Sequence, residues 1–461
     1  MDSIPTLHDE FKYTGLWWLP DQKETKWAGT LSFKPEEGAR LDLLLIDEDA
    51  ERGHPLNNDL QRIVGIAPTD KNELSVGNVF TLLNCQSRGY RVQPGITNYR
   101  FHAQYALRGF LWYSLTEEIN FKSTSVDFSS LAGWMPPVTS ITSEFEEDDS
   151  NKSLTRVDAT YHSTPPIEIQ LSTIQSSLSF TTWLQSSTGS REIHWRQSHS
   201  VRIEPNRTRS LQWYINQIYR IRDLFSFLTG LPVEPKYFDA TVSSNQIDNS
   251  EIDRTIHIYH SVRQPKTDEE FNYRMPFPLH RLDSQVQTVF NTWLELNEDQ
   301  LVPYILCLDV INNAHQFWQF EFLALVQALE SHHRLNYEKV GRKQGKYKNE
   351  KGEIKKNGPD FIDRLQELRE LFPKQLSQGP ELDDDFLKRV VRTRNYYTHY
   401  SARYREQAFQ GIDLYRANTR FIPFVAYFLY RELGISEEIV HEGFEATRYR
   451  GLWKPRLQDD N

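Results

Sequence analysis

Cysteine is almost absent from this chain. Cys85 and Cys307 are its only two, far apart in sequence. That excludes a disulfide framework and any cysteine-based metal spacing, and it suits a reducing cytoplasm. Long apolar runs are also missing. The most apolar stretch, FIPFVAYFLY at 421–430, is too short to span a bilayer. The opening MDSIPTLHDEFKYTG has neither the basic nor the apolar region of a secretory signal. The expectation is a cytoplasmic protein with no membrane partner. There is no surplus of positive charge: 53 Lys and Arg stand against 63 Asp and Glu, a net charge of −10. That argues against a polyanion-coating protein, although a local basic patch suffices for nucleic-acid contact. No Gly-rich phosphate loop, GxSxG elbow or supported Cys–His nucleophile pair is found, and no cofactor is expected.

What is present is the material of a globular protein. The 461 residues are 38% hydrophobic and 13% aromatic, enough for two or three domains with aromatic-rich cores. The first half reads as short strands: 28–33 and 40–46 around the turn KPEEG, then 61–66, 78–83, 99–105, 109–114, 154–161, 167–171, 179–185 and 193–203. Such spacing predicts a sandwich or open barrel. The acidic stretch 144–152 reads as a solvated loop. A helical period takes over near 208–229 and stops at Gly230 and Pro232. Strand-like pieces at 234–242 and 255–260 close a domain spanning 1–265, with a boundary around 260–280. The remainder, 280–445, reads as all-helical, with helices at 282–297, 313–336, 361–372, 383–399 and 404–433. Asp360 suits a cap and the acidic run 381–385 a helix N-terminus. The fold class is therefore α+β multidomain: a strand-rich part followed by a helical bundle. The Lys- and Gly-rich insert 340–359 reads as a mobile loop.

The sharpest chemical signal is LKRVVRTRNYYTHYSARYREQ at 387–407, where Arg394-Asn395 is followed by His399. Metal-free RNA cleavage needs a group to move the 2′-hydroxyl or leaving-group proton, and histidine suits that near neutral pH. It also needs a cation for the charge on the phosphorane, which the planar guanidinium supplies. Asn395 and His399 are four apart, on one helix face, so the amide is placed to orient the imidazole. Arg394 and His399 are five apart and do not share a stripe. Spacing alone is a loose criterion, since Arg156…His162, Arg254…His260 and Arg274…His280 show it too, in strand-like or Pro-rich context and without the Asn.

Together with the upstream segment FWQFEFLALVQALESHHR at 317–334, bearing Phe322, Ala328, Leu329, Glu330 and His333, the motif resembles the HEPN superfamily and, more narrowly, ApeA-like proteins. The N-terminal GLWWLPD…WAGTLSF at 15–33 is similar to the opening of the ApeA N-terminal domain. The resemblance implies a helical bundle that dimerises or forms a higher homo-oligomer, with two Arg-x4–6-His motifs facing one cleft. It implies a metal-independent endoribonuclease leaving a 2′,3′-cyclic phosphate, and a role in anti-phage abortive infection. Arg394 and His399 would then be catalytic, assisted by Asn395 and Glu330. RNA, such as tRNA, would be the substrate, and a phage-derived molecule the trigger. The N-terminal domain would sense that trigger.

Blander readings stand beside these. Without the family context, Arg394 and His399 are a surface arginine and a helix-end histidine. Asn395 is equally a turn former. Glu330 is either a solvated or salt-bridged residue or the group that orients His399 or Arg394. Lys343, Lys346 and Lys348 of the insert either contact RNA phosphates or are merely solvated. Tyr397, with Tyr396 and Tyr400, either stacks on bases or fills the bundle core, and at least one of the three is expected in the core. Trp17, Trp18 and Trp27 are expected to pack a core. Glu330…His333 and Glu438…His441 have the Glu-x-x-His spacing of di-metal bundles, but the further glutamates cannot be identified, so exposed polar residues are expected and no metal. The rival to the nuclease is a non-catalytic HEPN dimerisation or RNA-binding module whose N-terminal domain binds a ligand.

Overall fold

The computed structural model describes residues 4–46, 56, 58–68, 77–136, 139–148, 151–161, 165–188, 193–245, 251–263, 275–313, 317–348, 351–355, 358–374, 376, 382–448 and 452–453. The chain forms two compact units. The first comprises 1–132, 137–222 and 233–269; the second comprises 133–136, 223–232 and 270–461. The boundary expected around 260–280 falls largely on 264–274, outside the described residues.

The first unit is built on β1 (Phe11–Trp18), β2 (Trp27–Lys34), β3 (Gly38–Ile46), β4 (Leu60–Ile66), β5 (Val79–Gln93) and β6 (Ile96–Gly109). These six close a hydrogen-bonded ring, β1–β2–β3–β6–β5–β4 and back to β1, every pair antiparallel. The expected open barrel is therefore closed on this side. Pairing of β1 with β4 closes it, and alternation fills it: in β3, Leu41, Leu43 and Leu45 point inward while Asp42, Leu44 and Ile46 point out. Trp17 fills the interior and its indole N–H donates to the Gly29 carbonyl at 3.1 Å. Burying a ring of this size removes roughly 200 Å² from water, worth on the order of 5 kcal/mol. The indole lies so close to Gly65 that a Cβ there would overlap it. Trp18 and Trp27 are buried as well.

The ring continues into an antiparallel sheet. Following β7 (Asn120–Phe121), β8 (Ser123–Phe128), β9 (Thr139–Asp148), β10 (Asn151–Tyr161), β11 (Ile167–Leu171), β12 (Ser176–Thr188), β13 (Ile193–Pro205), β14 (Arg209–Ser210), β15 (Pro235–Asn245) and β16 (Glu251–Tyr259), the order outward from β6 is β16-β15-β8-β13-β12-β11. Two expectations need correction. The acidic stretch is not a loop: up to Asp148 it belongs to β9, which pairs with β10 from Asn151 onward, and residues 149–150 lie outside the described set. Residues 109–114 are not a strand, because β6 ends at Gly109. β1 was not anticipated: burial alternates from Phe11 to Trp17, but Gly15 stands on the inner side and the apolar Leu16 on the outer one, so the letters do not alternate.

The second unit is helical. It takes in the ends of α1 (Leu131–Trp134) and α2 (Leu211–Thr229), then α3 (Leu279–Leu282), α4 (Val286–Glu295), α5 (Glu298–Asn312), α6 (Trp318–His333), α7 (Lys339–Lys343), α8 (Phe361–Leu371), α9 (Asp384–His399), α10 (Gly411–Glu432) and α11 (Glu437–Ala446). Central α6 packs against α5, α8, α9 and α10. The apolar stretch of α10 is its buried spine: the Tyr430 hydroxyl donates to Phe227 O at 2.8 Å and accepts the Trp453 indole N–H at 2.8 Å. Asp383 caps α9, accepting from the Phe386 amide at 2.7 Å, with Asp384 and Asp385 in the first turn. Asp360 sits at the α8 N-cap, its amide donating to the Asp363 carboxylate at 2.8 Å.

Several helices differ from expectation. α5 was not anticipated because Pro303 interrupts a nearly continuous apolar run; an Asn297–Gln300 capping box starts it nonetheless. α6 passes through a π-helical turn at Arg334–Glu338 directly into α7. The helix expected from 404 begins only at Gly411, after a 3₁₀ turn at Ala402–Gln407. The insert is not a free loop in its described part. Tyr347 is buried, Lys348 and Ile354 form an antiparallel bridge, and the Lys355 amide donates to Tyr347 O at 2.9 Å.

Candidate active site

The candidate motif lies on the last two turns of α9. His399 is the final helical residue, because Tyr400 turns left-handed at φ 48° and stops the helix. Arg394 is half-buried. Its Nη2 lies 3.6 Å from Glu330 Oε2, its Nη1 donates to Asn395 Oδ1 at 3.2 Å, and its guanidinium stands 5.9 Å from the Phe361 ring centroid. So α6, α8 and α9 together fix this cation. His399 is exposed and, among the described residues, makes no hydrogen bond or ion pair. Asn395 thus turns to Arg394 rather than to the imidazole, and Glu330 partners Arg394 rather than His399.

Glu330 has a second partner: its Oε1 accepts from Arg334 Nη2 at 3.2 Å. From there a chain of charges runs through the bundle. Arg334 reaches Glu338 at 3.9 Å, and Glu338 also takes Arg364 at 2.7 Å and Arg342. Burial alone would raise the Glu338 carboxyl pKa, but hydrogen bonds from Arg364 and Arg342 outweigh it and hold the group below the usual carboxylate range. Arg364 Nη1 donates to His333 Nδ1 at 3.0 Å, and His333 Nε2 meets Glu367 Oε2 at 2.9 Å. A guanidinium only donates, so Nδ1 accepts and the proton sits on Nε2. Burial, with the Arg364 charge, lowers the His333 pKa and keeps the ring neutral. Glu367 ends the chain, accepting from the Tyr347 hydroxyl and the Lys346 ammonium, each at 2.7 Å.

The remaining candidates separate. Lys346 is spent on Glu367. Lys343 and Lys348 are exposed and make no ion pair among the described residues. Tyr397, offered above for base stacking, is only 8% exposed, and its hydroxyl donates to Phe409 O at 3.1 Å, so it packs the bundle. His333, expected to be exposed, is fully buried. Its partners differ from those of Glu330, and His441 faces Glu445 at 3.6 Å, so the two Glu-x-x-His pairs do not converge. Among the described residues no group of three or more His, Cys, Asp or Glu is placed to hold a metal, and no helix is long and apolar enough to cross a membrane.

Sequence reading passed over Arg334, Glu338, Arg342, Arg364 and Glu367. A signal for three of them was present: Glu330, Arg334, Glu338 and Arg342 alternate in sign at four-residue steps, the spacing of a charged helix face.

A central helix with its π turn, a neighbouring helix ending in Arg-x4-His, and a strand-rich unit define a two-part protein whose helical part is of the HEPN class: residues 323–439 match Apea-like HEPN. Residues 12–293, more than half the chain, match ApeA N-terminal domain 1, and the chain belongs to the ApeA family. That family points to anti-phage defence, and HEPN domains are in general nuclease-like. No curated protein and no solved structure matches the chain.

Proposed function

We propose that this protein is a metal-independent RNA endonuclease of a bacterial abortive-infection system, cutting with Arg394 and His399. One observation carries the reading: α9 presents a fixed guanidinium and, at its end, an exposed imidazole engaged by no other described group. In the reaction the RNA 2′-oxygen bonds to phosphorus and the P–O5′ bond breaks, leaving a 2′,3′-cyclic phosphate and a 5′-hydroxyl. His399 takes the 2′-hydroxyl proton or returns one to the 5′-oxygen. Arg394 stabilises the phosphorane. The two side chains project about 140° apart on α9 at five-residue spacing, so a homodimer that faces two motifs across one cleft completes the site. The target is RNA, with structured RNA such as tRNA the first to try. The N-terminal unit restrains the nuclease until a phage-derived trigger arrives, and the protein works in the cytoplasm.

The second reading, a non-catalytic RNA-binding or dimerisation module, is favoured by the lack of any described contact between His399 and Arg394. Cells expressing wild type, Arg394→Ala or His399→Ala are challenged with phage, and their RNA is compared with RNA incubated with each purified protein in EDTA. Wild type should protect the culture and produce cyclic-phosphate ends that persist in EDTA, while both variants fold and do neither. Protection by all three without new RNA ends would favour the binding module. Cleavage abolished by EDTA would sink the mechanism.

A further inference from the structure

Two carboxylates in the bundle hold four guanidiniums. Glu330 takes Arg334 and Arg394; Glu338 takes Arg334, Arg342 and Arg364. The neutral His333 beside them adds no charge. This cluster carries a local surplus of two positive charges in a chain that is acidic overall, and such a surplus favours an anion.

The four arginines are not equivalent. Arg364 is buried and donates to His333 as well. Arg342 is hydrogen-bonded to Glu338, and its guanidinium lies against Gly358 so closely that a Cβ there would overlap it. Arg394 is held by Glu330 and Asn395. Arg334 is the loose one: its side chain is 62% exposed and its two carboxylates stand at 3.2 and 3.9 Å. Each of those carboxylates keeps another arginine if Arg334 leaves. Arg334 also opens the π turn that interrupts the continuous helix from α6 to α7. Such turns sacrifice regular backbone bonding and recur where a helix must re-aim side chains at a functional site. Finally, Glu330 presents one oxygen to Arg334 and the other to Arg394. The two guanidiniums therefore flank a single two-oxygen anion, the pattern a phosphodiester also offers.

We propose that Arg334 is a second RNA-binding residue, taking a backbone phosphate next to the one held by Arg394. This rests on the RNA reading of the site. Arg334 contributes binding and register, not proton transfer or phosphorane stabilisation. Its guanidinium matches phosphate geometry and stays charged at every relevant pH.

The test is RNA binding by the full-length His399→Ala protein, which prevents turnover. Fluorescence anisotropy of a labelled single-stranded RNA is followed across a salt series, with Arg334→Gln, Arg334→Lys and Arg394→Gln added singly. Arg334→Gln should weaken binding about tenfold at low salt and flatten the plot of log affinity against log salt by about 0.7, one phosphate contact. Arg334→Lys should restore the slope, because the charge returns. If Arg334→Gln binds like its parent while Arg394→Gln does not, the RNA reading stands and the role of Arg334 falls. A loss that lysine does not restore also overturns the proposal, since it marks a structural role. If the parent binds no RNA, the reading itself fails and this inference goes with it.

Discussion

Glu330 and Arg394 belong to different helices, α6 and α9, yet meet at 3.6 Å, and the other oxygen of Glu330 holds Arg334 at 3.2 Å. The pair is partly exposed, so its worth as a salt bridge is at most about 1 kcal/mol. Its importance is geometric. A guanidinium on a long side chain is useful to a phosphorane only when its direction is set.

The first prediction follows from that geometry. Glu330→Gln removes the charge and nearly preserves the shape. Thermal stability should change by less than the equivalent of about 1 kcal/mol. The RNA cleavage rate at saturating substrate should fall by roughly 10- to 100-fold, with RNA affinity unchanged or improved. An unaltered rate in a folded variant would reduce Glu330 to a surface residue.

The second prediction concerns the insert. Gly341 packs on the Tyr347 hydroxyl so tightly that a Cβ would overlap it, and that hydroxyl donates to Glu367. Gly341→Ala should displace Tyr347 and cost about 1–3 kcal/mol. Tyr347→Phe removes only the hydrogen bond and should cost about 1 kcal/mol. Limited proteolysis reads the consequence: Gly341→Ala should be cut within 344–355 faster than wild type, and Tyr347→Phe less so. Equal cutting of all three would mean that Tyr347 does not anchor the insert.

These residues show what was legible in the sequence. The apolar run 40–46 marked a strand, although Leu44 and Ile46 on its outer face hide the alternation of Leu41, Leu43 and Leu45, and 167–171 became a strand with the same bounds. The helix expected at 383–399 was marked by its acidic start, and Asp383 caps it. Closure of the ring was not legible, because pairing β1 with β4 joins residues some fifty positions apart through backbone bonds that no side-chain pattern encodes. Tyr396, Tyr397 and Tyr400 look alike as letters; only the packing of Phe409 distinguishes the buried one. Lys346 looked like a solvated phosphate ligand because Glu367, its partner, lies 21 residues away. At the candidate site the motif was visible as spacing, but its neighbours on α6 depend on which helices pack together.

The third prediction is a pH dependence. His332 is 2% exposed, its ring packs on Phe428 and Tyr337, and burial pushes its pKa down to about 4. An unfolded histidine titrates near 6.5, so between the two values the unfolded chain binds more protons than the folded one. The stability contributed is therefore fully present above pH 6.5 and is lost as pH falls towards 4. The full effect is on the order of 3 kcal/mol. Melting temperatures from pH 7.5 to 5 should drop for wild type and drop less for His332→Leu. Identical slopes would show that this imidazole does not titrate with unfolding.

The last prediction separates two tyrosines of one segment. Tyr397 is buried and gives its hydroxyl to Phe409 O, whereas Tyr400 is 72% exposed. Tyr397→Phe leaves that carbonyl without its partner in a dry setting, at a cost of about 1–3 kcal/mol. RNA affinity should not move, because the ring it removes nothing from was never available to a base. Tyr400→Ala should do the reverse. Little packing is lost, but if the protein binds RNA as proposed, this exposed ring next to His399 would offer a stacking surface, and each base stacked on such a ring is worth about 1–3 kcal/mol of affinity. Melting curves and RNA binding, measured on both variants, check this together. A Tyr397→Phe protein that melts normally yet binds RNA poorly would return Tyr397 to the RNA surface and displace Tyr400 from it.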